Sequence, residues 1–274
     1  MVLSARKNIF VTFGAGRSGW IGAAKRITSE AEKTELFEFC FNLNEYWLKS
    51  WDPTMHKIGL DLRKIQPPRG FGYWTWKPSV LLWADLHFPN HNLFYFDAGT
   101  QIDTSLVKVN ELSDALNKVN AHGQIAWHLP QHLEVNWTKK EVLNYFASSL
   151  MEQNSGQVQS GFIGFSPGRT RSKFVRSFRN SALERQGFYF TDELIQIQNS
   201  SFIEHRHDQS IMSCLWKSEG FYSEEDPSHP MSHNSFPIIA YRNNSILPIE
   251  TLGICRRVLK FLYLTIDFIF RRRR

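Results

Sequence analysis

Leu93-Phe94-Tyr95-Phe96-Asp97-Ala98-Gly99 is the stretch that most constrains the fold of this chain. Its four apolar residues, bounded by turn residues, are typical of a short buried strand. Asp97 then follows the carboxyl end of that strand, which is where α/β sheets bind their ligands. A carboxylate there can bind a divalent cation, which in turn neutralises a diphosphate. The alternative is that Asp97 only caps the turn before Gly99.

The rest of the chain alternates between strand and helix patterns, which favours an α/β fold. The periodicity of apolar residues predicts a single Rossmann-like domain over residues 1–253, with a mostly parallel central sheet flanked by helices. The predicted strands are 8–13, 36–41, 93–96, 125–128 and 161–165, and the predicted helices are 20–34, 44–51, 78–86, 105–120, 138–150, 171–186 and 208–216.

A glycine-rich turn follows the first predicted strand. Gly14-Ala15-Gly16-Arg17-Ser18-Gly19 has the GxGxxG pattern, in which glycines let the backbone approach a pyrophosphate at a helix N-terminus. The pattern predicts nucleotide contacts at Phe13 and Gly14, and a tight strand-to-helix turn without a ligand is the equal alternative. Tyr73 and Lys77 also form a Tyr-x-x-x-Lys, but Pro78 directly after Lys77 argues against one continuous helical turn for both.

Aromatic and cationic side chains are concentrated in residues 69–78, Arg-Gly-Phe-Gly-Tyr-Trp-Thr-Trp-Lys-Pro. Arg69 and Lys77 can hold phosphates, and Tyr73 or Trp76 can stack on a base or a sugar. The alternative is an aromatic core with two solvated cations. Because Lys77 lies just before a predicted helix start, we expect it to be functional.

A second polar block, residues 204–210, precedes the last predicted helix. It contains His207 and Asp208 in the order Glu-His-Arg-His-Asp-Gln-Ser. A histidine or an aspartate at a helix start can hold a reacting hydroxyl, so both are candidate catalytic residues. The alternative is that Asp208 only caps the helix.

Composition excludes several classes of protein. Three widely spaced cysteines form neither a disulfide framework nor a CxxC metal site, and the N-terminus lacks a signal peptide pattern, so a cytoplasmic location is expected. The net charge of +6 is not accompanied by a nucleic-acid-binding motif, so no nucleic acid partner is expected. Residues 254–274 form a basic, amphipathic tail, which predicts peripheral contact with an anionic membrane through 255–274 or packing on the domain.

Four blocks occur together in a fixed order. They are Arg-Gly-Phe-Gly-Tyr-Trp-x-Trp-Lys-Pro at 69–78, the strand-end Asp97-Ala98-Gly99, Gln-Ser-Gly-Phe-Ile at 159–163, and His-Arg-His-Asp-Gln-Ser at 205–210. In this combination the chain resembles GT-A-type glycosyltransferases from polysaccharide and glycan gene clusters, over residues 8–216.

The resemblance implies a sugar nucleotide across the N-terminal half of the sheet. It implies that Asp97 takes the first-acid role of an Asp-x-Asp that binds Mn²⁺ or Mg²⁺ and the diphosphate. Gly99 replaces the second acid, so that either Asp103 supplies the other carboxylate or Lys77 and Arg69 hold the diphosphate. It further implies that Asp208 contacts the acceptor hydroxyl or the donor sugar, and that the sugar and acceptor pocket is lined by Gln159, Gly161 and Phe162.

The sequence therefore supports one leading hypothesis and two alternatives. The leading hypothesis is transfer of a hexosyl group from a nucleoside-diphosphate sugar to a glycan hydroxyl. The alternatives are a nicotinamide-dependent oxidoreductase, based on GxGxxG, and a non-catalytic glycan- or membrane-binding protein. The predicted donor-binding residues are Phe13, Gly14, Arg69, Tyr73, Trp76, Lys77, Asp97, Ala98 and Gly99.

Overall fold

The computed structural model describes residues 7–65, 69–227 and 236–240. The strands are β1 (Asn8–Gly14), β2 (Phe39–Asn44), β3 (Asn92–Phe96), β4 (Gln101–Ile102), β5 (Gln124–Leu133), β6 (Gly156–Phe165), β7 (Glu224–Glu225) and β8 (Ile238–Ile239). A six-stranded sheet has the order β2-β1-β3-β6-β5-β7, and β4 pairs with β8 in a separate two-stranded sheet.

Helices cover both faces of the six-stranded sheet. They are α1 (Ser18–Lys33), α2 (Glu45–Trp51), α3 (Pro53–Leu62), α4 (Lys77–His87), α5 (Leu106–His122), α6 (Glu134–Trp137), α7 (Lys140–Tyr145), α8 (Leu150–Gln153), α9 (Arg169–Leu183) and α10 (Asp208–Ser218). Two 3-10 helices, Gly72–Trp74 and Glu184–Phe190, precede α4 and follow α9.

Strand direction brings the predicted ligand positions to one edge of the sheet. β1 is parallel to both β2 and β3, and β5 is parallel to β7, whereas β6 is antiparallel to β3 and to β5. Three of the five pairings in the six-stranded sheet are thus parallel, which confirms the predicted α/β fold with a mostly parallel sheet. Because β1 and β3 run the same way, Gly14 and Asp97 lie at the same edge.

The alternation of side chains along the strands divides the core into two layers. Val11 and Tyr95 point to one face, where α3, α4, α9 and α10 pack, and Phe10, Phe94 and Phe96 point to the other, where α1 and α5 pack. This period of two is what a strand buried on both sides requires.

Two predicted helices are shorter than the pattern indicated. The helix predicted over 138–150 is α7 followed by a turn, since Ala147 has a φ of 50°. The helix predicted to end at Gln186 ends at Leu183, because residues 185–187 adopt left-handed backbone conformations. The predicted basic tail, residues 254–274, lies outside the described residues. Among the described residues, no helix is both long enough and apolar enough to span a bilayer.

Candidate active site

Lys77 joins the predicted blocks in a buried ionic cluster. It is the first residue of α4, its side chain is 1% exposed, and its Nζ lies 3.0 Å from Oδ1 of Asp97 and 2.5 Å from Oδ2 of Asp208. The same Nζ donates to the carbonyl and to Oγ of Ser160, both at 3.0 Å. Four segments that are distant in sequence therefore meet at one ammonium group.

Charge pairing keeps Lys77 protonated in spite of its burial. Burial alone would lower the pKa of Lys77, but the carboxylates of Asp208 and Asp97 more than offset this, so its pKa is raised above its usual value. Two carboxylates face one ammonium, so the cluster carries one net negative charge. A further cation, or a ligand rich in hydrogen-bond donors, is therefore the partner that this cluster favours.

Asp97 has one occupied and one available carboxylate oxygen. Tyr95 donates its hydroxyl to Oδ1 at 2.7 Å, beside Lys77, and the Asp97 side chain is 41% exposed. No described residue hydrogen-bonds to Oδ2. Burial, followed by the charge of Asp97, raises the pKa of Tyr95 well above its usual range, so the phenol remains a donor. Asp97 thus presents one acceptor oxygen to the open side of the site.

The turn after Asp97 is fixed by a buried ion pair on α1. Arg26 pairs with Glu30 at 2.9 Å, and its other nitrogen donates to the carbonyls of Ala98 and Thr100. Glu30 also accepts the backbone N–H of Ile102 at 2.8 Å. Ala98 and Gly99, both predicted to contact the donor, belong to this pinned turn. The arrangement holds Asp97 rigidly at the strand end.

A bulge in β6 directs polar groups toward Lys77. Ala126 of β5 pairs with Ile163 and His128 pairs with Val158, so residues 159–162 of β6 lie opposite Trp127 alone. The extra residues bend out of the ladder, as bulges near functional sites commonly do. In this way Ser160 reaches both Lys77 and Oδ2 of Asp208, to which its hydroxyl donates at 2.6 Å.

Gln159 and Gly161 border the open side of Asp97. A Cβ at Gly161 would lie 3.2 Å from Oδ2 of Asp97 and 3.5 Å from Oε1 of Gln159, so the glycine leaves room beside the carboxylate. The Nε2 atom of Gln159 is buried and has no hydrogen-bond partner. Because buried amides are nearly always paired, this donor is a candidate for a ligand oxygen. Phe162, predicted to line the same pocket, instead stacks on Trp127 within the core.

His207 holds a strained conformation just before Asp208. Its φ is 53° and its ψ is −123°, a region that costs on the order of 1–3 kcal/mol for a non-glycine residue. The ring stacks on Trp74 at 5.3 Å, and its Nδ1 lies 2.9 Å from the carbonyl of Phe190. Burial lowers the pKa of His207, although Asp192 opposes this, so the ring donates to Phe190 in its neutral form.

The predicted nucleotide contacts lie around the end of β1. Phe13 stacks on Trp76 at 4.0 Å, and the indole N–H of Trp76 is buried without a partner. Tyr73 is 1% exposed and belongs to the 3-10 helix, so its ring is core, whereas Arg69 is partly exposed and lies 3.4 Å from Asp192. A Cβ on Gly14 would overlap the carbonyl oxygen of Trp20, so this glycine serves the close approach of α1.

Both carboxylates of the cluster that could contribute to a metal site, Asp97 and Asp208, are paired with Lys77. Mg²⁺ and Mn²⁺ are commonly held by one or two carboxylates together with substrate phosphates. Asp97 fits that requirement through its free Oδ2. Asp103 differs, because its Oδ1 accepts the N–H of Ser105 in the turn before α5. Over 7–65, 69–227 and 236–240, no group of three or more His, Cys, Asp or Glu could hold a metal by itself.

Two contributors to the site were not predicted as site residues. Tyr95 was assigned only to an apolar strand, and Ser160 only to a block that resembled a family. Gly161, the first residue of the predicted strand 161–165, is an internal residue of β6, and a glycine there is the signal that could have indicated the bulge.

Several solved structures are similar to this chain at low sequence identity. No protein-family model and no curated protein matches the chain. Mouse xyloside xylosyltransferase 1 is similar over 88% of this chain and 100% of its own, with 10% identity and a TM-score of 0.42. The galactosyltransferase LgtC is similar over 88% and 84%, with 12% identity and a TM-score of 0.40. The bifunctional glycosyltransferase WbbM is similar over 82% and 39%, with 10% identity and a TM-score of 0.41. With identities and TM-scores this low, the matches transfer no residue roles.

Proposed function

We propose that the protein is a glycosyltransferase that moves a hexosyl group from a nucleoside-diphosphate sugar to a hydroxyl of a glycan. The observation that carries the proposal is the cluster in which Lys77 bridges Asp97 and Asp208 at the carboxyl edge of the sheet. Sheets of this class bind ligands at that edge. The cluster is anionic and is open on the side of Asp97.

The groups that face the open side suit a polyhydroxylated ligand. Oδ2 of Asp97 and Oε1 of Gln159 are acceptors that border the space beside Gly161, and Nε2 of Gln159 is a buried donor without a partner. Sugar hydroxyls both donate and accept hydrogen bonds, so they satisfy such a mixed set better than a purely anionic ligand does. We therefore assign Gln159 and Gly161 to the transferred sugar.

The proposed reaction exchanges one bond at the anomeric carbon. The bond between that carbon and the terminal phosphate oxygen breaks, and the electron pair leaves with the diphosphate. A bond forms to the acceptor oxygen, whose proton passes to a carboxylate or to the departing phosphate. Asp208 orients the acceptor hydroxyl or takes its proton. Lys77 is 1% exposed and does not contact the ligand. It acts through the two carboxylates by fixing their positions relative to each other.

Because Lys77 does not contact the ligand, other groups must offset the negative charge of the leaving diphosphate. The partly exposed Arg69 can pair with phosphate oxygens, and the glycine turn before α1 presents backbone N–H groups at a helix N-terminus. Asp97 would hold a Mn²⁺ or Mg²⁺ bound jointly with the donor, and such a cation neutralises the developing charge. The nicotinamide alternative is not advanced, because Lys77 is paired with carboxylates and Tyr73 is buried in the 3-10 helix.

The first test is a screen of uridine, guanosine and thymidine diphosphate sugars by thermal shift, with Mn²⁺ or with EDTA. A donor at 100 times its Kd stabilises the protein by about 2.7 kcal/mol. No shift and no transfer with any donor would refute the proposed function. A shift in EDTA equal to that in Mn²⁺ would argue against the cation.

The second test compares matched carboxylate variants in a transfer assay. We expect Asp97→Asn and Asp208→Asn to lose activity by at least about a hundredfold, because each removes a charge at the reacting centre. Asp103→Asn is the control, and we expect near-normal turnover from it. Near-normal turnover in Asp97→Asn or Asp208→Asn removes that residue from the site, and loss of turnover in Asp103→Asn supports its role as a cation ligand.

A further inference from the structure

Lys139 is a buried cation that the proposed reaction does not use. It lies in the short connection between α6 and α7, and the residue is 0% exposed. Its Nζ donates to the carbonyls of Phe188, Thr191 and Glu193 at 2.7, 2.9 and 3.1 Å. All three acceptors belong to residues 188–193, which we call the strap. Burial lowers the pKa of Lys139 to about 8, although Glu141 opposes the shift.

Two histidines bind two of the three remaining carbonyls of the same segment. Nε2 of His205 lies 2.8 Å from the carbonyl of Tyr189, and Nδ1 of His207 lies 2.9 Å from that of Phe190. Five of the six strap carbonyls are therefore bound by three side chains. Residues 188–190 end the second 3-10 helix and residues 191–193 follow it without regular structure, so their buried polar groups must be satisfied in some such way.

The next part of the chain is held by an acid. Glu141, on α7, accepts the backbone N–H groups of Ile195 and Gln196 at 2.6 and 2.8 Å. Lys139 binds carbonyls and Glu141 binds N–H groups, so the start of α7 fixes the direction of the segment as well as its position.

The strap also contacts two residues of the candidate active site. Its Asp192 lies 3.4 Å from Nε of Arg69 and 3.8 Å from Nε2 of His207. His207 stacks on Trp74 and directly precedes Asp208. A displacement of the strap would therefore change the setting of both Arg69 and Asp208.

We propose that Lys139 is a positioning residue. Its ammonium binds the carbonyls of the strap, so that Asp192 and His207 hold Arg69 and Asp208 in the positions that the reaction requires. A neutral apolar side chain at this position leaves the carbonyls of Thr191 and Glu193 without a donor, whereas Phe188 keeps the backbone N–H and the hydroxyl of Thr191. Buried carbonyls do not remain unpaired. Residues 191–193 would then turn toward water, while the pairing of Lys77 with Asp97, which none of these hydrogen bonds involves, would persist.

Hydrogen exchange measured by mass spectrometry tests the structural part without any substrate. In Lys139→Met we expect peptides covering 188–198 to exchange at least tenfold faster, with peptides from β1 and β3 unchanged. Lys140→Met is the matched control, because Lys140 is the next residue and its side chain is exposed. We expect no change in exchange from this variant. Lys139→Arg, which restores a cation, should recover part of the protection. Equal acceleration throughout the molecule, or none in the strap, would overturn the proposal.

Kinetics test the link to the site and rest on the proposed glycosyl transfer. We expect Lys139→Met to lower kcat at least tenfold and to raise donor Kd, because the strap sets both Asp208 and the proposed phosphate ligand Arg69. Asp192→Asn, at a partly exposed position, should lower kcat with strap exchange unchanged, and this variant serves even if Lys139→Met does not fold. Unchanged kcat in Asp192→Asn would overturn the link. If no donor binds wild type, the proposed function fails, whereas the exchange experiment still decides the role of Lys139.

Discussion

Replacing Lys77 by methionine removes the one cation of the buried cluster and keeps most of the side-chain volume. The variant leaves two carboxylates facing each other with two negative charges. Asp208 has a side-chain exposure of 9% and Asp97 one of 41%, so the two acids do not contribute equally. The buried Asp208 loses its counter-charge in low-dielectric surroundings, whereas solvent screens much of the effect at Asp97.

The structure sets the expected size of this effect. Breaking a buried ion pair by removing one partner costs about 3–5 kcal/mol, and a partly exposed pair adds at most about 1 kcal/mol. We therefore expect Lys77→Met to lower the free energy of unfolding by about 3–5 kcal/mol, a large fraction of the ~5–15 kcal/mol typical of a domain. Adding Asp208→Asn removes the unpaired buried charge, so the double variant should be more stable than Lys77→Met.

Urea unfolding followed by circular dichroism measures these values. Lys64→Met is the matched control, since Lys64 is 77% exposed in its pair with Asp61, and we expect its midpoint to equal that of wild type. A buried carboxylate without its cation takes up a proton in acid, so the loss in Lys77→Met should be smaller at about pH 5 than at about pH 8. A loss below about 1 kcal/mol, or one independent of pH, would refute the reasoning.

Three further predictions follow from single contacts. Gly161→Ala introduces a Cβ 3.2 Å from Oδ2 of Asp97, so we expect kcat/KM to fall about tenfold with an unchanged unfolding midpoint, and an unchanged kcat/KM would contradict the pocket. Gly14→Ala overlaps the backbone of α1 at Trp20 and should cost about 1–3 kcal/mol of stability, measured in urea. Burial holds the pKa of His205 well below 6.5, so the unfolded chain binds the proton first as pH falls. The contribution of neutral His205 to the free energy of unfolding should be fully present above pH 6.5 and should decline below it by up to about 1.4 kcal/mol per pH unit. If stability in His205→Gln declines as steeply with falling pH as in wild type, this assignment is wrong.

The sequence predicted the elements that depend on local pattern. Apolar runs marked β1 and β3, and Asn44 caps the predicted second helix by accepting two N–H groups. Helix ends were less predictable. Arg185 and Gln186 continue a helical pattern in sequence, yet their backbones turn left-handed at φ 46° and 53°. Packing of the following Phe188 and Phe190 in the interior overrides the local preference there.

By itself the sequence determined the α/β class, the strand end at Asp97, and Lys77 and Asp208 as candidates, because hydrophobic periodicity and residue chemistry are local properties. Only the tertiary structure decided that one ammonium joins these residues to Ser160, 83 positions from Lys77. It also decided that β6 bulges to deliver Ser160, that Phe162 belongs to the core, and that Lys139 binds the strap. Those contacts depend on chain register and on the pairing of segments far apart in sequence, which no local pattern encodes.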